Sequence, residues 1–111
     1  MKNKNKMVAE VLEAVAAGFG VDLCAKPRPE RQWRPRRGNR RTNEAFAAYA
    51  LLRLDMQPGL KMRPLAEELG HTVSYTNYWV MRGGDMVRTD KEFARKLRVA
   101  LGEMKKKEVA A

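Results

Sequence analysis

Apolar residues recur at intervals of three and four along most of this chain, which is the spacing of one face of an α-helix. The first run predicts a helix of about 13 residues whose apolar positions are Met7, Val8, Val11, Leu12, Val15 and Phe19. Gly18 and Gly20 are expected to end it. A second helix should begin near Thr42 or Asn43, because either residue is a good N-cap. Its apolar face consists of Phe46, Tyr49, Ala50 and Leu54.

Two further helices are predicted in the next segment. A short one begins about Arg63 and Pro64 and ends at Gly70, since proline is favoured in the first turn of a helix and glycine at its end. The other is expected to run from its cap, Thr72, to about Arg82, and the glycines at 83 and 84 should end it.

The last helix is predicted from a capping box, formed by the Thr89 hydroxyl and the Glu92 carboxylate three residues later. Its apolar positions are Phe93, Leu97, Ala100 or Leu101, and Met104. Residues 105–111 are expected to form a frayed tail. Because no segment alternates with a period of two, we predict a single all-α domain over residues 1–111, with about five helices.

The positive charge of the chain is concentrated in one segment. The 111 residues carry a formal net charge of +10, and residues 26–41 contribute +7 of it through eight basic residues and one acid. Three prolines and Gly38 interrupt any continuous helix there, so the segment is predicted to be a basic loop. Such a density of like charge is unfavourable without a counter-charge. We therefore interpret it as a polyanion-binding arm rather than as a solvated loop.

Arginine dominates this loop, and its guanidinium group suits bidentate phosphate contacts and insertion into a minor groove. The candidate DNA-contacting residues of the loop are Arg34, Arg36, Arg37, Arg40 and Arg41. Trp33 lies among them, where it either stacks on a ligand or anchors the loop.

Other classes of function are disfavoured by what the chain contains. Cys24 is the single cysteine, so no internal disulfide or cysteine metal site is expected, and we predict a packed thiol in a cytoplasmic protein. No run approaches the roughly 18 apolar residues of a membrane span. His71 has no nucleophile or set of metal ligands at useful spacing. We therefore expect neither an enzyme nor a cofactor, metal or small-molecule site.

Residues 63–83 have the spacing of a helix-turn-helix. Ala66 lets the two helices approach closely, and Gly70 supplies the backbone freedom for a sharp turn. Thr76 and Val80 fall on the inward face of the second helix, and the position of Trp79 also favours the core. The weaker alternative is an ordinary helical hairpin with tyrosines on its surface.

The outward positions of that second helix carry the candidate recognition residues. They are Ser74, Tyr75, Asn77, Tyr78, Met81 and Arg82. A helix that projects in this way can enter a major groove, which is about 12 Å wide. The predicted DNA-contacting set comprises these residues except Met81, together with His71 and Thr72 from the turn.

The order of these features resembles the C-terminal DNA-binding domain of DnaA, the bacterial chromosomal replication initiator. Residues 11–21, ending in Phe-Gly-Val, are similar to the opening helix of that domain, and residues 46–51 to its Ile-Ala-Met-Tyr-Leu helix. Residues 65–70 (Leu-Ala-Glu-Glu-Leu-Gly) match the first half of its signature, and His71-Thr72 match its His-Thr pair. Asp-Lys-Glu-Phe at 90–93 resembles the start of its final helix.

This resemblance implies a TrpR-like helical domain that inserts one helix into the major groove of duplex DNA, while an arginine of the basic loop reaches the minor groove. The chain also departs from the family. Gly70 directly precedes His71, which shortens the turn, and Ser74 and Tyr75 replace an aliphatic pair. The phosphate-binding motif Gly-x-x-x-x-Gly-Lys-[Ser/Thr] of the ATPase domain does not occur. The DNA-sequence specificity of the initiator is therefore not carried over.

We expect a stand-alone double-stranded DNA-binding protein of the nucleoid, acting in replication or transcription as a monomer or weak homodimer. Two alternatives use the same residues differently. An RNA-binding protein would fold its arginine loop on structured RNA. A protein-interaction adaptor would instead present Tyr75, Tyr78 and Trp79 to a partner protein.

Overall fold

The computed structural model describes residues 4–21, 23 and 40–110, with the side chains of residues 6–21, 23 and 42–106. This part of the chain forms five helices: α1 (Lys4–Phe19), α2 (Arg40–Met56), α3 (Met62–Glu68), α4 (Val73–Thr89) and α5 (Lys91–Ala110). No strand occurs among the described residues, and the predicted all-α class is confirmed. None of the described helices is long and apolar enough to cross a membrane.

α2 is the central helix of the fold. The sequence predicts one apolar face for it, whereas the structure buries every residue from 45 to 50. Four of these six residues are alanines, so helices can approach α2 closely from several sides. α1, α4 and α5 all contact it. The short side chains therefore make α2 a core helix rather than a surface helix with a single apolar stripe.

α1 packs against α5 more extensively than against any other helix. Val11, Val15 and Phe19 are buried, as the predicted stripe requires, and Phe19 meets Phe93 of α5 edge to face with ring centroids 5.5 Å apart. Offset and edge-on ring pairs of this kind add to the stability gained from burying the aromatic surface.

Three of the glycines predicted to end helices, at positions 18, 83 and 84, lie inside them instead. A Cβ atom on Gly18 would lie 2.6 Å from the carbonyl oxygen of Lys96, so glycine lets α1 and α5 approach at this point. Gly83 plays the same part between α4 and α2, because a Cβ there would lie 3.0 Å from Leu51 Cδ1 and 3.3 Å from Ala47 Cβ. The prediction that α4 ends at residue 82 is therefore wrong. α1 does end directly before Gly20, whose φ is 68°.

The start and the end of α5 also differ from the prediction. Asp90, not Thr89, caps the helix: its Oδ1 accepts hydrogen bonds from the backbone N–H groups of Glu92 (3.0 Å) and Phe93 (3.2 Å). Thr89 belongs to α4 and donates its hydroxyl hydrogen to the carbonyl of Asp85. The predicted frayed tail is helical as far as Ala110.

Candidate nucleic-acid interface

The turn between α3 and α4 is built around one glycine. Gly70 has a φ of +74°, a left-handed conformation that residues with a Cβ rarely adopt. Its N–H bonds the carbonyl of Glu67 at 3.2 Å, and the N–H of His71 bonds the carbonyl of Ala66 at 2.9 Å. This is the Schellman arrangement, which ends a helix and satisfies its last carbonyls. The conformational role predicted for Gly70 is confirmed.

Thr72 holds the first turn of α4. Its hydroxyl oxygen accepts a hydrogen bond from the backbone N–H of Tyr75 at 3.1 Å, as predicted for an N-cap. One turn further, the buried hydroxyl of Thr76 donates to the carbonyl of Thr72 at 2.9 Å. Because both bonds involve the residues where α4 begins, the direction in which α4 leaves the turn is closely defined.

A buried ion pair fixes α3 to the central helix. Arg53 of α2 is inaccessible to solvent, and its Nε and Nη2 donate to the two carboxylate oxygens of Glu68 at 2.8 and 2.6 Å. Tyr49 donates its hydroxyl hydrogen to the same carboxylate at 2.6 Å. Two helices separated in sequence by a turn are thus joined by three charge-assisted hydrogen bonds. Sequence reasoning missed this cluster, because nothing local in α2 shows which acidic residue meets Arg53.

The protonation states of this cluster follow from its surroundings. Burial raises the pKa of the Tyr49 phenol, and the hydrogen bond to Glu68 raises it further. The hydrogen bond to Glu68 likewise raises the pKa of the Arg53 guanidinium. Tyr49 therefore remains a neutral donor and Arg53 a cation, which is the arrangement that a carboxylate acceptor requires.

Aromatic rings connect the turn, α2 and α4. The ring of His71 lies 4.5 Å from that of Phe46 and stacks on Tyr75 at 4.6 Å. Tyr75 also donates its hydroxyl hydrogen to Oδ1 of Asn43, in the first turn of α2, at 3.0 Å. The sequence predicts Tyr75 on the outward face, and this is wrong: its half-buried ring faces α2. The signal was present in the spacing, since Tyr75 is four residues before Trp79, which packs against the core.

The remaining predicted outward residues are exposed. Four of them, Ser74, Asn77, Tyr78 and Met81, form what we call the outer face of α4, and Arg82 follows directly after it. Tyr78 is 59% exposed and Met81 66% exposed, which is high for large apolar side chains. The amide nitrogen of Asn77 lies 3.9 Å from the Met81 sulfur and donates a weak hydrogen bond to it. No residue from 73 to 81 carries a charge.

The basic residues of α2 and α3 lie outside the outer face. Arg40 and Arg41, at the end of the basic segment 26–41, form the beginning of α2. Lys61 and Arg63 are exposed where α3 begins. The loop candidates Arg34, Arg36 and Arg37 lie outside the described residues, as do Trp33 and Cys24. The hydrogen bond between Asn43 and Tyr75 brings the start of α2 and the start of α4 together.

Comparison with family models, with curated proteins and with solved structures finds no match for this chain. Within the part of the chain that the structure describes, no group of three or more histidine, cysteine, aspartate or glutamate residues could hold a metal ion. The assignment of a function therefore depends on the geometry of α2, α3 and α4 and on the distribution of charge.

Proposed function

We propose that this protein binds double-stranded DNA. In this proposal α3, the turn and α4 act as a helix-turn-helix, α4 enters the major groove, and the arginine-rich segment contacts phosphates and the minor groove. The proposal agrees with the resemblance to the DNA-binding domain of DnaA, and it places the protein on the nucleoid in a replication or transcription role. It requires that α4 and the basic segment can reach one duplex together.

The hydrogen bond from Tyr75 to Asn43 is the observation that carries this proposal. Asn43 lies two residues after Arg41, so the bond holds the end of the basic segment near the first turn of α4. The outer face of α4 begins with Ser74, next to the tied tyrosine. A duplex that meets this face is therefore close to the point from which the basic segment extends.

The separation of charge from the outer face supports a division of labour. Since residues 73–81 are uncharged, electrostatic attraction to phosphates has to come from segment 26–41, with its net +7, and from residues such as Lys61 and Arg63. Contacts to phosphates supply affinity, and contacts to base edges supply specificity. The helix and the basic segment fit these two roles.

A salt titration tests the proposal. If five to seven basic residues neutralise phosphates, the logarithm of the binding constant for a random duplex should fall with the logarithm of salt concentration at a slope of about −5 to −6. A slope near zero would refute duplex binding through phosphates. Structured RNA, added as a competitor, should displace the duplex only weakly, and preferential binding of that RNA would favour the RNA-binding alternative.

A pair of charge variants locates the interface. The double variant Arg36→Ala/Arg37→Ala should make the salt slope shallower by about 2 units, since each phosphate contact contributes about 0.9. Arg98→Ala/Lys105→Ala removes the same charge from exposed positions of α5 and serves as the matched control. Equal effects of the two variants would mean that net charge, rather than the basic segment, determines binding.

A protein partner is the second candidate, because Tyr78 and Met81 are large apolar side chains exposed on α4. In that case Tyr78→Ala should abolish capture of the partner while Arg34→Ala and Arg37→Ala are tolerated. If α4 instead reads DNA, the arginine substitutions should weaken duplex binding, and the tyrosine substitution should change the preference among duplex sequences.

A further inference from the structure

We propose that the outer face of α4 reads A·T base pairs, with Asn77 contacting an adenine and Met81 contacting the methyl group of a thymine. This inference rests on the proposed function, because it specifies which bases a duplex-binding α4 prefers. It also gives a role to Met81, which is not among the DNA-contacting residues predicted from the sequence.

Asn77 carries the chemical groups of an adenine reader. Its side chain is exposed on the second turn of α4, and its amide nitrogen donates to the sulfur of Met81 at 3.9 Å. That contact uses one amide hydrogen and orients the group. The second hydrogen and Oδ1 form the donor and acceptor pair that matches N7 and the N6 amino group of adenine in the major groove.

Met81 supplies the apolar part of the same surface. It lies one helical turn after Asn77 and is 66% exposed, more than any other large apolar side chain described. Side chains four residues apart on a helix have Cβ atoms about 5–6 Å apart, and successive bases on one strand are about 3.4 Å apart. Met81 and Asn77 can therefore contact the same or neighbouring base pairs. The thymine methyl group is the apolar feature of the major groove.

The residues that read G·C pairs are missing from this face. Guanine is recognised mainly by arginine or lysine, and cytosine by aspartate or glutamate. None of these occurs from Val73 to Met81. The next basic residue, Arg82, follows Met81, and Arg88 forms an ion pair with Asp85 at 3.0 Å. The amide of Asn77 and the apolar side chain of Met81 remain and favour A·T pairs, whereas the hydroxyls of Ser74 and Tyr78 do not distinguish the base pairs.

Two modified bases test the two contacts separately. The full chain is first used to select duplexes from a random pool, and we expect the selected sites to share an A·T-rich core. Replacing thymine with uracil at one position of the site removes only a methyl group and should weaken binding about fourfold. Replacing adenine with 7-deazaadenine removes the acceptor N7 and should weaken binding at least about fivefold.

Alanine variants assign each effect to a side chain. Met81→Ala should bind the thymine and uracil duplexes equally, and Asn77→Ala should bind the adenine and 7-deazaadenine duplexes equally. Both positions are exposed on a helix and alanine is the best helix former, so the variants should fold. Val99→Ala, at an exposed valine of α5, is the matched control and should retain both penalties.

The outcomes distinguish failure of the A·T preference from failure of duplex binding. Sites selected with a G·C core, or a uracil penalty that persists in Met81→Ala, would overturn it while salt-dependent duplex binding stands. Loss of all salt-dependent duplex binding would refute the proposed function itself, and the A·T preference with it. The titration on random duplex separates these two failures.

Discussion

The two sides of α4 differ in how far their side chains are held by the rest of the fold. On the inner side, Tyr75, Thr76 and Gly83 are each held by a specific contact with the turn or with α2. On the outer face, Asn77 and Met81 are exposed and are joined by one weak hydrogen bond. The inner side fixes where the helix lies, so its residues are constrained by shape and hydrogen bonding. The outer face contributes little to folding and is available for a ligand.

Loss of the buried ion pair that holds α3 should have the largest effect. Glu68→Gln leaves the cation of Arg53 buried without its counter-charge and should lower the free energy of unfolding by about 3–5 kcal/mol. Denaturation by urea, followed by circular dichroism, measures the change. Glu92→Gln, which breaks an ion pair with Arg95 at the surface, is the control and should leave the midpoint unchanged. Equal effects would mean that the buried pair does not anchor α3.

Tyr49→Phe removes a hydrogen bond to the same carboxylate and should cost about 1.5–3 kcal/mol at neutral pH. Folding raises the pKa of this phenol above its usual 10.0. The stability that the phenol contributes to the folded state is therefore complete below pH 10 and declines as the pH rises further. The difference in stability between the wild type and Tyr49→Phe should therefore shrink above pH 10. A difference that stays constant up to pH 11 would contradict a buried, hydrogen-bonded phenol.

Adjacent glycines of α4 sharpen the comparison between its sides. Gly83→Leu forces a side chain against Leu51 and Ala47 and should destabilise the fold by about 1–3 kcal/mol. A Cβ on Gly84 meets nothing within 4 Å, so Gly84→Ala should stabilise the helix by about 0.5–1 kcal/mol. Thermal unfolding should give a midpoint below that of the wild type for Gly83→Leu and above it for Gly84→Ala. If both substitutions raised the midpoint, α4 would not approach α2 closely at residue 83.

The cap of α4 should contribute less. Thr72→Ala removes the acceptor for the N–H of Tyr75 and should cost about 1 kcal/mol. Thr72→Ser retains the hydroxyl and should restore most of the loss, as measured by the midpoint in urea. If the serine variant were as unstable as the alanine variant, the hydroxyl would not be the stabilising group.

The smallest effects distinguish the two tyrosines of α4. Tyr75→Phe loses the hydrogen bond to Asn43 and should cost about 0.5–1.5 kcal/mol. Tyr78→Phe changes a hydroxyl on an exposed side chain and should stay within about 0.5 kcal/mol of the wild type. If Tyr78→Phe lost more stability than Tyr75→Phe, Tyr78 rather than Tyr75 would lie on the inner side of α4.

Local patterns were enough to predict the helices and the turn of the candidate site. Periodicity located all five helices, and Gly70 and Thr72 perform the roles that their side chains suggest, because caps and left-handed turns depend on residues close in sequence. The same local reasoning assigned Gly83 to a helix end. A glycine that ends a helix and a glycine that admits a neighbouring helix have the same sequence signal, and only the position of α2 distinguishes them.

Sequence alone determined an all-α chain with its excess charge in residues 26–41, and an uncharged stretch from 73 to 81 that begins directly after the cap Thr72. The tertiary structure decided which of those uncharged residues face outward, and that Arg53, Glu68 and Tyr49 meet in the core. The reason is the range of the forces involved. Helix formation and capping act within one turn of chain, whereas burial and ion pairing depend on which helices lie against each other.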